Sequence, residues 1–133
     1  MRFCNYCGAA MLIRFTQIDY DREMAFVAVR EEGGREIEIG VARYVTNPDA
    51  RTCEFALVVA DAWQGKGLGR RMLERLIEVA RSRGLSTMVG HILAGNQAML
   101  ALCGKLGFRM SDHPEDAALK RATLVLDARG GIV

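Results

Sequence analysis

The sequence has 133 residues, 50% of them hydrophobic and 26% charged, which is enough for one domain with a buried core. Its 18 basic and 16 acidic residues give a formal net charge of +2, too nearly balanced for a dedicated nucleic-acid-binding protein. No apolar run approaches the roughly 18 residues that a membrane-spanning helix needs, and the N-terminus lacks the pattern of a signal peptide. We therefore expect a cytoplasmic protein that has neither a nucleic-acid nor a membrane partner.

The first half of the chain predicts an antiparallel β-meander. Gly33 and Gly34 form a hairpin-turn signal between two strand-like runs, Met24–Arg30 and Glu36–Tyr44. A second turn, around Pro48, leads into a third run at Thr52–Ala60. Three strands joined by short turns are expected to pair with their neighbours in sequence.

The second half predicts alternating helices and strands. Apolar residues recur there at helical spacing, and glycines stand where the two helices should end. The predicted elements are, in order, a helix from Leu68 to Gly84, a strand at Thr87–Leu93, a helix capped by Asn96 and ended by Gly107, a polar loop at Ser111–Asp116 and a strand at Ala122–Leu126. A meander followed by a strand–helix–strand crossover, whose two strands are parallel, predicts an α+β fold, or mixed α/β in looser terms.

The most informative segment lies between the third strand and the first helix. Its spacing is Gln-x-x-Gly-x-Gly, from Gln64 through Gly67 to Gly69. Glycine lets backbone N–H groups approach a ligand closely, and the N-terminus of the helix favours a phosphate. The spacing excludes both a P-loop and the dinucleotide-binding fingerprint. Six basic and two acidic residues between Lys66 and Arg83 give this stretch a charge of +4, which favours a compact anionic ligand.

The four cysteines do not form one motif. Cys4 and Cys7 have the spacing of a zinc knuckle or a redox pair, but no second pair of ligands follows, so we expect no metal site. Cys53 and Cys103 fall in apolar patterns that are typical of buried free thiols.

Three segments resemble the GNAT superfamily of acyl-CoA-dependent N-acyltransferases. Gln64–Leu73 (QGKGLGRRML) resembles the pyrophosphate loop of the family, and Asn96–Phe108 (NQAMLALCGKLGF) resembles its second conserved block. Arg14–Val29 resembles the GNAT domain of bacterial Pat-type protein lysine acetyltransferases. The resemblance covers roughly residues 23–127, which we interpret as the acetyltransferase domain, with an atypical N-terminal segment at 1–22 and a tail at 128–133.

The resemblance implies that acetyl-CoA binds where two parallel strands, here Thr52–Ala60 and Thr87–Leu93, splay apart. The pantetheine arm is expected to pair with backbone groups left free at the splay. The loop amides would hold the pyrophosphate, and basic side chains would neutralise it. The expected acetyl-CoA-binding residues are Val58, Val59, Ala60, Gln64, Gly65, Lys66, Gly67, Leu68, Gly69, Arg70 and Asn96.

Glu54 is the expected general base. Strand alternation places it on the face opposite Cys53 and Phe55, and Pat-type enzymes carry a glutamate at the matching place. A carboxylate among apolar side chains has a raised pKa, which favours this role over that of an ordinary surface acid. His91, on the neighbouring strand, is the rival base, although a single histidine in a strand is more often structural. Cys103 stands where many GNAT enzymes have a tyrosine that protonates the leaving thiolate, and a buried thiol is a poor substitute.

The resemblance implies an enzyme that acetylates an amine, with a protein lysine as the acceptor and an acyl-CoA synthetase-like protein as a partner. Two alternatives stay open: acetylation of a small amine or amino acid, and a catalytically weak acyl-CoA-binding regulatory module. Superfamily members begin with a strand and two helices, which the first 23 residues do not supply. We therefore expect a homodimer formed through an exposed edge of the sheet at the start of the meander.

Overall fold

The computed structural model describes residues 2–3, 11–16, 22–65 and 67–126. Within these ranges the chain forms eight strands, one short 3₁₀ turn and two α-helices. In chain order they are β1 (Arg2–Phe3), β2 (Met11–Thr16), β3 (Glu23–Glu32), β4 (Arg35–Thr46), β5 (Thr52–Val59), the 3₁₀ turn (Asp61–Trp63), α1 (Leu68–Ser82), β6 (Thr87–Leu93), α2 (Gln97–Lys105), β7 (Arg109–Asp112) and β8 (Leu119–Val125).

The chain divides into two compact units, the first of which comprises Met1–Val45 and Ala56–Leu76. Its strands lie in the order β1-β2-β3-β4-β5, and β1 to β4 pair antiparallel. Both glycines of the β3–β4 hairpin have positive φ, as the turn signal predicts. The start of α1 packs on β4 at Gly40, where an added Cβ would lie 3.1 Å from the sulfur of Met72.

The second unit comprises Thr46–Phe55 and Ile77–Val133. Its strands lie in the order β5-β6-β8-β7; β5 and β6 are parallel, whereas β8 is antiparallel to both β6 and β7. Buried residues of α1 and α2, including Ile77, Ala80 and Cys103, belong to the core together with Met88 and Leu124 of the sheet. The predicted α+β class, a meander followed by a strand–helix–strand–helix unit, is confirmed.

The parallel ladder between β5 and β6 is short. It runs from the pair Thr52–Thr87 to the pair Phe55–Gly90, although each strand continues for at least three residues beyond it. At the last pair the Phe55 ring occupies the space above Gly90 and lies 5.3 Å from the ring of Phe108. Phe55 therefore points into the core, and its neighbour Glu54 points to the opposite, exposed face.

The helix ends follow the capping signals of the sequence. The Asn96 side chain accepts a hydrogen bond from the Met99 N–H at 3.1 Å, which caps α2. Gly84 and Gly107 adopt positive φ just beyond α1 and α2.

The prediction of a polar loop at Ser111–Asp116 was partly wrong. Arg109–Asp112 forms β7, an edge strand whose residues are all exposed, and it pairs with β8, which begins at Leu119 rather than Ala122. An exposed strand has no buried face to impose apolar alternation, so its sequence is polar throughout. Backbone pairing with β8 is what makes it a strand.

The expected open edge at the start of the meander was also wrong. β2 pairs with β3 along six residues, from Met11–Arg30 to Thr16–Ala25, and β1 pairs with β2. The edge of β3 is therefore occupied within the same chain, and β1 is the terminal strand of the sheet on this side. The oligomeric state and the domain boundaries at residues 23 and 127 stay predictions, and the tail at 128–133 lies outside the described residues.

Replacing Gly90 by Ala is expected to destabilise the protein by about 1–3 kcal/mol, because the new methyl group overlaps the Phe55 ring and forces it to move. Urea denaturation followed by circular dichroism measures the change. The matched control is Gly104→Ala in α2, where an added Cβ meets nothing within 4 Å. Because alanine favours a helix over glycine by about 1 kcal/mol, this control is expected to be neutral or stabilising. Equal stability of Gly90→Ala and the wild type would contradict the packing described here.

Candidate active site

The loop between β5 and α1 is built around glycines with positive φ. Gly65 and Gly67 have φ values of 77° and 87°, a conformation that other residues adopt at a cost. The N–H of Arg71 donates to the carbonyl of Gly67 at 3.1 Å, which is the first bond of the α1 turn. The amides of the preceding residues, at the start of α1, have no carbonyl before them within the helix and can bind an anion.

Backbone hydrogen bonds decide which of the predicted pantetheine-binding residues is free to pair. The Ala60 N–H donates to the carbonyl of Ile39 at 2.8 Å, and the Val58 carbonyl lies 3.3 Å from the Cβ position of Gly40, so both groups face β4. Neighbouring residues of a strand direct their backbone groups to opposite edges. Val59 is therefore the residue of the three whose backbone faces away from β4.

The Gln64 side chain ties the loop to the end of β5. Its amide nitrogen donates to the Val59 carbonyl at 3.0 Å and lies 3.3 Å from the Asp61 carboxylate. Next to it, the buried Trp63 ring packs under the guanidinium of Arg30, whose carbon lies 5.6 Å from the ring centroid. A buried aromatic side chain and a side-chain hydrogen bond thus fix the start of the loop.

The electrostatics of the loop favour a phosphate. The first turn of α1 carries no acidic residue, so no carboxylate repels an anion from the positive end of the helix dipole there. Arg70 is exposed and lies 3.4 Å from Glu74, an i,i+4 pair whose contribution is small in water. These features fit the pyrophosphate of acetyl-CoA. Lys66, the remaining predicted loop residue, lies outside the described residues, as do Cys4 and Cys7.

Asn96, the predicted ligand residue in the second unit, uses its side-chain oxygen to cap α2. Its side-chain amide nitrogen keeps two donors for a ligand. From the sequence, Asn96 was expected both to bind acetyl-CoA and to cap α2. The structure shows the cap.

The two candidate bases form one pair. The Nε2 atom of His91 lies 3.3 Å from the Oε1 atom of Glu54, on the exposed face of β5 and β6. The side chains are 34% and 50% exposed, so Glu54 is not the carboxylate surrounded by apolar side chains that the sequence predicted.

Two further residues belong to this cluster and were missed from the sequence. The ring of His113 packs edge-on against the ring of His91, with 5.1 Å between the centroids. Arg121 of β8 pairs directly with His91 of β6 in the antiparallel ladder. Only the pairing of β6 with β8 brings these residues together, and no local sequence signal reports it.

The two cysteines that the structure describes are buried and unreactive. Both are free, and neither Cys53 nor Cys103 exposes any surface. Burial raises the pKa of Cys103 to about 11, and burial together with the nearby Glu54 charge raises the pKa of Cys53 to about 12. A thiol held protonated in the core is a poor nucleophile, so neither cysteine is suited to covalent catalysis.

Among the residues that the structure describes, no group of three or more His, Cys, Asp or Glu side chains is arranged to hold a metal ion. None of the described helices has the length and apolar character needed to cross a membrane.

The comparisons with known proteins agree with the geometry of the loop. The model of the acetyltransferase (GNAT) family matches residues 4–108, which is more than half of the chain. The chain belongs to the GNAT family. An acetyltransferase of Pseudomonas aeruginosa is 40% identical over 108 residues, which cover 81% of this chain and 58% of the relative. The chain thus spans little more than half of that GNAT protein.

Solved GNAT structures share the fold. The GNAT domain of PAT from S. lividans superposes with a TM-score of 0.70 at 25% identity, over 84% of this chain and 65% of that domain. YncA of Salmonella typhimurium, solved with its cofactor acetyl-CoA, gives a TM-score of 0.64 at 32% identity, over 79% and 65% of the two chains. A methionine sulfoximine and methionine sulfone acetyltransferase of the same organism is 32% identical over 115 residues, 77% of this chain and 67% of that relative.

Replacing Gly67 by Asp is expected to weaken acetyl-CoA binding about 100-fold or more, because the side chain and its negative charge enter the place expected for the pyrophosphate. Isothermal titration calorimetry measures the dissociation constant. The matched control is Gly84→Asp beyond the other end of α1, where φ is also positive, at 81°. It introduces the same charge and the same backbone strain and is expected to leave binding unchanged. Equal affinities of the two variants would place the acetyl-CoA site elsewhere.

Cys103 is expected to resist alkylation in the folded protein. With a pKa of about 11, roughly one thiol in a thousand is ionised at pH 8, and burial blocks access to it. Labelling rises only as the pH approaches that value or when the protein unfolds. Iodoacetamide labelling followed by peptide mass mapping, with and without denaturant, measures this directly. Equally rapid labelling of the folded and denatured protein at pH 8 would contradict it.

Proposed function

We propose that the protein is an acetyl-CoA-dependent N-acetyltransferase that acylates an amine, and that the acceptor is a protein lysine. The observation that carries the proposal is the loop before α1, where two positive-φ glycines, a helix N-terminus and a tethered Gln64 leave backbone donors for a pyrophosphate. Glu54 lies on β5, the strand that leads into this loop. β5 thus contains the candidate base and is followed in the chain by the loop proposed to bind acetyl-CoA.

The chemistry assigned to the chain follows from these groups. Bound acetyl-CoA would supply an acetyl thioester. The neutral amine would attack its carbonyl carbon, the carbon–sulfur bond would break, and the departing CoA thiolate would take up, through water, the proton that the acylated nitrogen loses. A lysine ammonium has a reference pKa of about 10.4 and must first lose a proton, which we assign to Glu54. The backbone N–H of Val59 is the proposed donor to the developing oxyanion. No side chain is assigned as the general acid, because Cys103 is fully buried and its raised pKa of about 11 makes the thiol a weak acid.

Two acceptor classes are supported by different relatives. Similarity to the GNAT domain of S. lividans PAT favours a protein lysine as the acceptor. The proposed protein that contains this lysine resembles an acyl-CoA synthetase. Similarity to the methionine sulfoximine acetyltransferase favours an amino acid or another small amine, which is the second candidate. The proposal keeps the cytoplasmic location expected from the sequence.

Replacing Glu54 by Gln is expected to lower acceptor-dependent release of the CoA thiol by about 10²–10⁴-fold, the usual contribution of a general base. The assay uses acetyl-CoA with a panel of lysine peptides and free amino acids, and the acceptor that supports release identifies the class. Acetyl-CoA affinity, measured by calorimetry, is expected to stay unchanged. The matched control is Glu38→Gln, an exposed glutamate of β4.

Thiol release in the Glu54→Gln variant at the wild-type rate would remove Glu54 as the base. Tight acetyl-CoA binding without release for any acceptor would overturn the enzyme proposal and favour a regulatory module that binds acyl-CoA.

A further inference from the structure

A half-exposed glutamate does not stay in one place without a partner, because its side chain has three rotatable bonds and loses rotamer freedom when fixed. Glu54 is such a residue, with half of its side-chain surface open to solvent. A general base must nevertheless be held at hydrogen-bonding distance from the proton that it accepts. Some neighbour therefore has to fix the carboxylate.

The register of the sheet provides that neighbour. Glu54 pairs with Val89 and Phe55 with Gly90, so His91 is the residue that follows the last pair on β6. Side chains alternate along both strands, and Glu54 and His91 emerge on the same face, diagonal to each other. The distance of 3.3 Å between Nε2 and Oε1 shows that the two side chains meet.

His91 is itself held from the other side. The His113 ring packs edge-on against it, and His113 is fixed in turn because its Nδ1 atom accepts the backbone N–H of Glu115 at 3.1 Å. The backbone N–H of His113 also donates to the Leu119 carbonyl at 3.3 Å. The series of contacts from the β7–β8 loop through His113 and His91 thus ends at the Glu54 carboxylate.

The charged and titratable groups around His91 come from three elements. Glu54 faces it from β5, His113 from the β7–β8 loop, and Arg121 stands opposite it on β8. The Nε atom of Arg121 is buried and has no hydrogen-bond partner among the described residues. Of these groups, Glu54 is the one that His91 meets through a ring nitrogen.

We propose that His91 is a positioning residue for the reaction: it holds the Oε1 atom of Glu54 and leaves Oε2 to accept the proton of the acceptor amine. The inference rests on the proposed function, in which Glu54 is the base. In the proton step the ammonium N–H bond breaks and an O–H bond forms at Oε2, so the amine becomes neutral and the carboxylate becomes a carboxylic acid. The proton count of His91 does not change, and the acid later returns its proton to water.

The test compares two replacements of His91. Leu has a similar size but no donor, whereas Gln keeps an N–H donor at a comparable distance from the backbone. We expect His91→Leu to lower kcat about 10-fold or more, with little change in the acceptor KM, because misplacement of a catalytic group by about 1 Å can cost 10²-fold. We expect His91→Gln to retain most of the activity. In the Glu54→Gln background, His91→Leu is expected to have no further effect, since the two residues act as a unit.

Two kinetic outcomes overturn the proposal. A wild-type kcat in His91→Leu would show that the contact has no role in turnover. Equal losses in His91→Leu and His91→Gln would show that the imidazole itself is needed, rather than its donor. Because His91 is exposed, both variants are expected to fold, and thermal denaturation checks this.

A second measurement tests the contact without turnover. The ¹⁵N chemical shift of the His91 Nε2 atom is expected to change in Glu54→Gln, while that of the His113 Nδ1 atom stays the same. The matched control, Glu38→Gln, should change neither. An unchanged His91 shift would overturn the pairing even in an active enzyme. Absence of acetyl transfer by the wild type would instead count against the proposed function, so the two failures are distinguishable.

Discussion

The contact of the Phe55 ring with Gly90 is the constraint on which the arrangement of the second unit depends. The parallel ladder between β5 and β6 ends at this pair, and an aromatic ring fills the space that a side chain at position 90 would occupy. Because the ring points into the core beside Phe108, alternation directs Glu54 to the other face. The same pair sets the register that brings His91 to Glu54. A core packing contact thus determines which polar groups meet on the surface.

β5 contributes a side chain near its start and backbone groups near its end. Near its start, the side chain of Glu54, the proposed base, lies on the exposed face and meets His91. Near its end, the backbone matters, because the peptide groups of Val58 and Ala60 face β4, whereas those of Val59 face away from it. The Val59 carbonyl accepts from the Gln64 side chain, so the Val59 N–H is the group left for another partner. The loop that follows is then fixed by Gln64 and Trp63 rather than by its glycines, which supply only the required φ values.

Local signals predicted much of the fold and of the cofactor loop. Gly33 and Gly34, the Asn96 cap and the bounds Thr87–Leu93 of β6 were predicted from turn chemistry, capping and alternation, because these depend on residues close in sequence. β7 was missed because an exposed edge strand needs no apolar pattern. The Glu54–His91 pair and the nearby His113 were missed as a cluster, because strand register between distant segments decides which side chains meet. The alternation of faces along β5, with Cys53 and Phe55 on the side opposite Glu54, was predicted correctly, whereas the solvent exposure of Glu54 was not.

The loop between β7 and β8 has a consequence for how such a protein diversifies. His113 and Glu115 lie on an exposed connection, and insertions or substitutions are tolerated there more readily than in a core strand. The residues of the glycine loop belong to the first compact unit, and the His113–His91–Glu54 series belongs to the second. Substitutions in a surface hairpin can therefore alter the surroundings of the proposed base without changing the glycine loop that is proposed to bind acetyl-CoA. Paralogues with one cofactor and different reactivity are the evolutionary outcome that this separation permits.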